Sequence, residues 1–301
     1  MENVSPTSPS VVPTEQRHRS QPVSFVRRGS RLQGRRREAW DELAAQYLID
    51  LPRIAADTSV DASYRFDAAV AYGRSAPLVV EIGSGLGEAI THAAQHEPDR
   101  NYLALEVYRP GLAQTMLRIS QYSLPHVRVA QVNAPEALAT MLPAGSVSEL
   151  WVYFPDPWHK ARHHKRRLVK ESFVDLAARV LVPGGTLRLA TDWSDYAVQM
   201  RAVLDESAHF DNAHAGERTG AESPLTQVWD SGVEQVVGGA PVREGKDPVS
   251  TGNTSVNEGV DLRGGWAPRH DGRPLTSFEQ KAIEAGRMIF DLTYLRTQLR
   301  E

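Results

Sequence analysis

The chain has no cysteine among its 301 residues. That absence excludes a disulfide framework, a thiolate metal site and a cysteine nucleophile, and it fits a reducing compartment. No apolar run approaches the roughly 18 residues that a membrane-spanning helix needs. The N-terminus lacks an apolar core segment, so no secretory signal is expected and the cytoplasm is the expected location. No internal repeat is visible.

A strong net charge is absent as well, the total being −3. The balance conceals a division. Residues 1–37 hold eight Arg against Glu2 and Glu15, and residues 160–170 hold six Lys or Arg and no acid. The remainder carries 20 basic and 35 acidic side chains, net −15. An acidic body with two basic segments makes a focused field. A phosphate backbone is the obvious partner for such segments. Neither segment shows an amphipathic apolar face, so no membrane partner is expected.

The length allows one large α/β domain with tails, or two small domains. Residues 1–36, rich in Ser, Pro, Gln and Arg, read as a disordered basic tail. Residues 37–301 read as a single domain. Trp40 to about Tyr72 looks like a helical lead-in broken at Pro52. Residues 231–263 hold six Gly and no aromatic residue, and read as a flexible insertion.

Between Leu78 and Leu204 the pattern alternates strand and helix. Strands are expected at Leu78–Ile82, Tyr102–Glu106, Val127–Val132, Val147–Phe154 and Thr186–Thr191. Helices are expected at Leu86–His96, from Pro110 onward, and at Val169–Leu181. Such alternation implies a mostly parallel sheet with helices on both faces. Ligands then bind outside the carboxyl ends of the strands, so the residues just after each strand are the ones to weigh.

After the first strand comes Gly83-Ser84-Gly85-Leu86-Gly87, preceded by Glu81. Glycines let the backbone approach a ligand closely. The dinucleotide fingerprint would need Gly at position 88, which is Glu. An acid on that strand end suits a ligand with positive charge, such as a sulfonium or an amino group. Glu106, nineteen residues beyond Gly87, could accept both hydroxyls of a ribose or be a surface acid. Asn133 could read an adenine edge or sit in a turn. Asp192 could cap the next helix or reach into the site. Five strand ends with polar residues at one sheet edge are hard to explain as separate accidents.

The fourth strand runs into Phe154–Lys165, FPDPWHKARHHK. Asp156 lies between two prolines, Trp158 follows, and the basic run begins at Lys160. One carboxylate at the head of a cationic tract suggests a catalytic or ligand-holding group beside a polyanion track; a solvated charge run is the bland alternative. Further on, Thr276-x-x-Glu279 before SFEQKAIEAGR has the form of a helix capping box.

These segments together resemble the bacterial tRNA (guanine-N7)-methyltransferase family: EIGSGLG (81–87), LEVYRPG (105–111), YFPDPWHKARHHKRR (153–167), ATDW (190–193) and RPLTSFE (273–279). The match covers about Leu78 to Glu301 apart from the insertion. It implies a Rossmann-like class I methyltransferase that uses S-adenosyl-L-methionine on guanine 46 of the tRNA variable loop. By motif position, Glu81, Gly83, Gly85, Glu106, Asn133 and Asp156 fall on cofactor-binding positions, with Asp156 also the catalytic one. Lys160, Asp192, Thr276, Ser277, Phe278 and Glu279 fall on substrate-contacting positions. Arg162, His163, His164, Lys165, Arg166 and Arg167 fall on the RNA-facing loop. Asn133 is a departure, since the family usually has Asp there. With no cysteine and no spaced acidic partners, His163 and His164 read as RNA-facing or solvated, and no metal is expected. No obligate protein partner is evident.

Guanine N7 is a lone-pair nucleophile with no proton to lose, so no general base is required. Catalysis should come from orientation and from negative charge near the base. Two other readings stand beside this one. Another methyltransferase would account for the cofactor residues and leave the basic block unexplained. A non-catalytic RNA-binding protein on the same fold would bind tRNA without transfer.

Overall fold

LVVEI at Leu78–Ile82 is buried at all of its positions, as a central strand of a parallel sheet must be. The computed structural model describes residues 31–54, 56–231 and 259–298. Its strands are β1 (Leu78–Ile82), β2 (Asn101–Glu106), β3 (Val127–Gln131), β4 (Val147–Tyr153), β5 (Leu181–Thr191), β6 (Phe210–Asn212) and β7 (Phe290–Arg296). They form one sheet in the order β3-β2-β1-β4-β5-β7-β6. The pairs among β1–β5 are parallel, and β7 runs antiparallel between β5 and β6. This is the expected Rossmann-like class I methyltransferase architecture. The strand order reverses between β1 and β4, which places the ligand crevice at their carboxyl ends.

The helices are α1 (Arg35–Tyr47), α2 (Ala68–Tyr72), α3 (Glu88–His96), α4 (Arg109–Gln121), α5 (Ala134–Glu136), α6 (Glu171–Val180), α7 (Ser194–Asp205), α8 (Pro224–Asp230) and α9 (Ser277–Glu284). Alternate strand residues feed two cores. Val80, Ile82, Leu103, Leu105, Leu150 and Val152 point to one, with α6 and α7. Val79, Tyr102, Ala104, Val129, Trp151 and Tyr153 point to the other, with α3 and α4. The period-2 alternation of buried strands therefore sets the two-layer cover.

Several expected boundaries move. Strand β5 begins at Leu181, because Val182–Gly185 form a bulge: the register with β4 jumps from Val147↔Leu181 to Glu149↔Thr186. Helix α1 begins at Arg35, inside the expected tail, and residues 1–30 lie outside the described residues. Most of the expected insertion, 232–258, lies outside them too. Its C-terminal flank, however, is tightly held. Asp261 is buried and accepts hydrogen bonds from Arg201 Nη1 (2.9 Å), Ser223 Oγ (2.8 Å) and Trp266 Nε1 (2.7 Å). Its own amide donates to Thr226 Oγ1 of α8 at 2.9 Å. Among the described residues no helix is long and apolar enough to cross a membrane.

Candidate active site

The carboxyl ends of β1, β2 and β4 and the start of α9 enclose a cavity of about 320 Å³. That size suits a small organic ligand. Its floor is the glycine turn after β1. Gly83 and Gly85 take φ of 72° and 57°, and both line the cavity. The turn sits tightly against α4: a Cβ on Gly111 would lie 2.3 Å from the Gly85 carbonyl oxygen, and one on Gly87 would lie 2.6 Å from the Thr115 side chain. Glu106 fixes the other side. Its carboxylate accepts from Gly85 N at 2.9 Å, Val107 N at 2.7 Å and Tyr108 N at 3.0 Å.

Two polar groups beneath the cavity stand unpaired. Glu81 Oε2 and Ser84 Oγ are buried and have no hydrogen-bond partner. Both residues line the cavity. Burial pushes the Glu81 carboxyl up to about 8; a backbone hydrogen bond at Ile90 opposes this, and the Glu106 and Glu88 carboxylates reinforce it. A buried carboxyl with one oxygen unpaired, lining a small-molecule cavity, fits a ligand that brings a cationic group to it.

Asp156 lines the same cavity. The loop that carries it is bracketed by two non-glycine residues in left-handed backbone, Phe154 (φ 51°) and Trp158 (φ 47°). Such conformations persist only where the surroundings impose them. Phe154 N donates to Ala190 O of β5 at 2.8 Å. Arg167 holds the far side, donating to Pro157 O (2.8 Å), Gln199 Oε1 (2.7 Å) and Asp195 Oδ2 (2.5 Å). The basic run follows as a short 3-10 helix, Ala161–Arg166, with Lys160, Arg162 and Lys165 exposed.

A family model described as "Putative methyltransferase" matches residues 75–233. A tRNA (guanine-N(7)-)-methyltransferase of Paenarthrobacter aurescens (strain TC1) is 66% identical over 273 residues, spanning 91% of each chain. That of Arthrobacter sp. (strain FB24) is 64% identical over 91% of this chain and 86% of its own length. That of Bifidobacterium longum (strain NCC 2705) is 40% identical over 90% of this chain and 87% of its own. The chain belongs to the tRNA (guanine-N(7)-)-methyltransferase family.

Several positions that the family resemblance marks have partners within the protein. Asn133 does not line the cavity, although its neighbours Val132 and Ala134 do. Its Oδ1 accepts from Glu136 N at 3.1 Å and its Nδ2 donates to Thr58 O at 3.0 Å, so it caps α5. The segment Asn133-Ala-Pro-Glu136 carries that capping signature in sequence. Asp192 accepts from Arg287 Nε at 2.7 Å, beside a His159–Trp193 ring pair 3.8 Å apart.

In this member of the methyltransferase family, Thr276, Ser277 and Phe278 line the cavity and Glu279 does not. Thr276 Oγ1 accepts from Glu279 N at 3.2 Å, which is half of a capping box. The Glu279 carboxylate turns inward instead, to Arg269 and Arg273. Arg167, expected on RNA, is only 2% exposed and braces the Asp156 loop. His163 faces Trp158 edge-on at 5.9 Å while the Arg166 guanidinium lies over that indole at 4.9 Å. His164 stands 3.8 Å from Asp195. No cluster of metal-ligating side chains occurs among the described residues. Sequence reasoning missed Glu88, Tyr153 and Arg273. The first two line the cavity and the third packs over Tyr153.

Proposed function

We propose that this chain transfers a methyl group from S-adenosyl-L-methionine to N7 of guanine 46 in tRNA, in the cytoplasm. The observation that carries the reading is one cavity lined by Glu81, with its Oε2 buried and unpaired, and by Asp156, with an exposed cationic run continuing from the Asp156 loop. The cofactor would supply an electrophilic methyl on a sulfonium. Glu81 would face its positive end, and Glu106 its ribose. The Gly83–Gly85 backbone would let it lie close to the sheet edge.

With the donor bound, the lone pair of purine N7 would take the methyl and the methyl–sulfur bond pair would return to sulfur, so positive charge would pass to the purine with no proton moved. Asp156 places a carboxylate where that charge develops, on a loop already held in its strained shape. Preset orientation matters because a displaced carboxylate would have to reorganise during reaction. Lys160 would engage guanine O6 or a phosphate, and Arg162, Lys165 and Arg166 would hold the RNA backbone.

The test is transfer of labelled methyl to unmodified tRNA, with the product mapped by cleavage at N7-methylguanine. Signal at the variable-loop guanine that is lost in Asp156→Ala supports the reading. Signal at another base, or no dependence on tRNA, rejects it.

A further inference from the structure

Glu88 and Ser277 are 189 positions apart in sequence, yet they meet in the wall of the cavity. Glu88 Oε2 accepts from Ser277 N at 2.8 Å and from Ser277 Oγ at 2.9 Å. Its other oxygen lies 3.5 Å from Arg118 Nη2 of α4. The contact therefore joins the first residue of α3, just after the glycine turn, to the first residue of α9. Glu88, Ser277, Phe278 and Lys281 all line the cavity, and the Phe278 ring lies 3.5 Å from where a Cβ on Gly85 would be. The start of α9 thus covers the turn from outside.

The two ends of this cover differ in how firmly they are held. On the inner side Glu279 is 1% exposed and bound by Arg269 and Arg273. On the outer side Glu88 keeps 21% of its side chain exposed. A buried ion-pair network resists opening, whereas a partly solvated carboxylate exchanges its partners for water at modest cost. Glu88 also supplies negative charge and a second acceptor to the N-terminus of α9, taking the Ser277 amide while Thr276 caps that of Glu279.

We propose that Glu88 is a clasp: a positioning residue that holds the start of α9 over the cofactor, and whose release lets the cofactor in and the demethylated product out. Ser277 is then the catch rather than a substrate contact, since its amide and hydroxyl are both spent on Glu88. The proposal rests on the cavity being the cofactor site.

The experiment compares wild type with Glu88→Ala, Glu88→Gln and Ser277→Ala, the last keeping the backbone bond. It follows amide hydrogen exchange across residues 276–284 in the free protein and the dissociation rate of S-adenosylhomocysteine. Glu88→Ala should speed both, the dissociation by roughly tenfold, the equivalent of about 1.4 kcal/mol. Glu88→Gln and Ser277→Ala should fall between it and wild type. Faster exchange with unchanged dissociation, or no change in either, overturns the clasp. Glu81→Gln and Glu106→Ala are measured for cofactor affinity in parallel. If neither weakens binding, the cavity is not the cofactor site, and that reading fails independently of the exchange result.

Discussion

Arg273 and Glu279 are joined by two hydrogen bonds, Nε to Oε2 at 3.2 Å and Nη2 to Oε1 at 3.3 Å, and both residues are about 1% exposed. The same guanidinium donates to Asp291 of β7 at 2.5 and 3.1 Å and lies over the Tyr153 ring at 5.0 Å. One side chain therefore links α9, β7 and the end of β4.

Removing one partner from such a network leaves a buried charge unmatched. Glu279→Ala should lower unfolding free energy by about 3 kcal/mol or more, read by urea denaturation. Burial raises the Glu279 carboxyl, and Arg269 and Arg273 outweigh it, leaving it below the ordinary value. A lowered value contributes stability above the unfolded-state pKa that fades as pH falls through the folded one. The wild-type advantage over Glu279→Gln should therefore shrink below about pH 4. An unchanged stability with a raised KM for tRNA would instead assign Glu279 to the substrate.

Glu81 behaves in the opposite sense. Its carboxyl is pushed up to about 8, so at neutral pH it is mostly protonated in the free protein. A cationic ligand stabilises the ionised form, and binding releases a proton. Affinity for S-adenosylmethionine should rise with pH up to about 8 and then level. In Glu81→Gln the profile should be flat over that range. Because the folded value is raised, the free wild type should also lose stability as pH climbs from the ordinary carboxylate range toward 8, and the variant should not. Calorimetry in buffers of different ionisation enthalpy reads the proton directly.

The basic run divides into two kinds of cation. Arg162 and Lys165 are exposed, and each neutral variant should reduce the dependence of log K for tRNA on log salt by about 1. Arg167 is buried against Pro157, Gln199 and Asp195. Arg167→Ala should leave the salt slope alone and lower kcat, because the Asp156 loop loses its brace. A slope that fell by the same amount as for Arg162 would return Arg167 to the RNA surface.

Gly111→Ala tests the turn. The added methyl would meet the Gly85 carbonyl oxygen at 2.3 Å, and that oxygen belongs to backbone that cannot swing aside. Overpacking of this kind costs about 1–3 kcal/mol. The displaced turn should also weaken cofactor binding, although residue 111 does not line the cavity.

Much of the site was legible because buried parallel strands announce themselves as short apolar runs and the polar residues follow at their ends. Leu78–Ile82 was found to the residue, and Glu81, Glu106 and Asp156 do meet at one cavity. The other half of the sheet was harder. Strand β6 is three residues, FDN, too short to show a period, and the Pro-Gly-Gly in β5 reads as a stop when it is a bulge. Arg167 sits in a run of like charges, where composition cannot tell the one that folds inward. Glu88 and Arg273 act through partners distant in sequence or buried by tertiary packing, and no local pattern encodes either.

The Asp261 knot has an evolutionary consequence. Its bonds to Ser223, Thr226 and Arg201 clamp the chain on both sides of residues 232–258, so both ends of that stretch are anchored by the fold itself. Because both flanks are pinned, extra chain between residues 231 and 259 adds a closure cost of only about 0.6 kcal/mol for each doubling of length. Sequence gained or shed at this point should therefore leave the cavity lining, which lies between residues 81 and 168 and at 276–281, in place. The same clamp offers an engineer a place to splice in a reporter or an extra RNA-binding module.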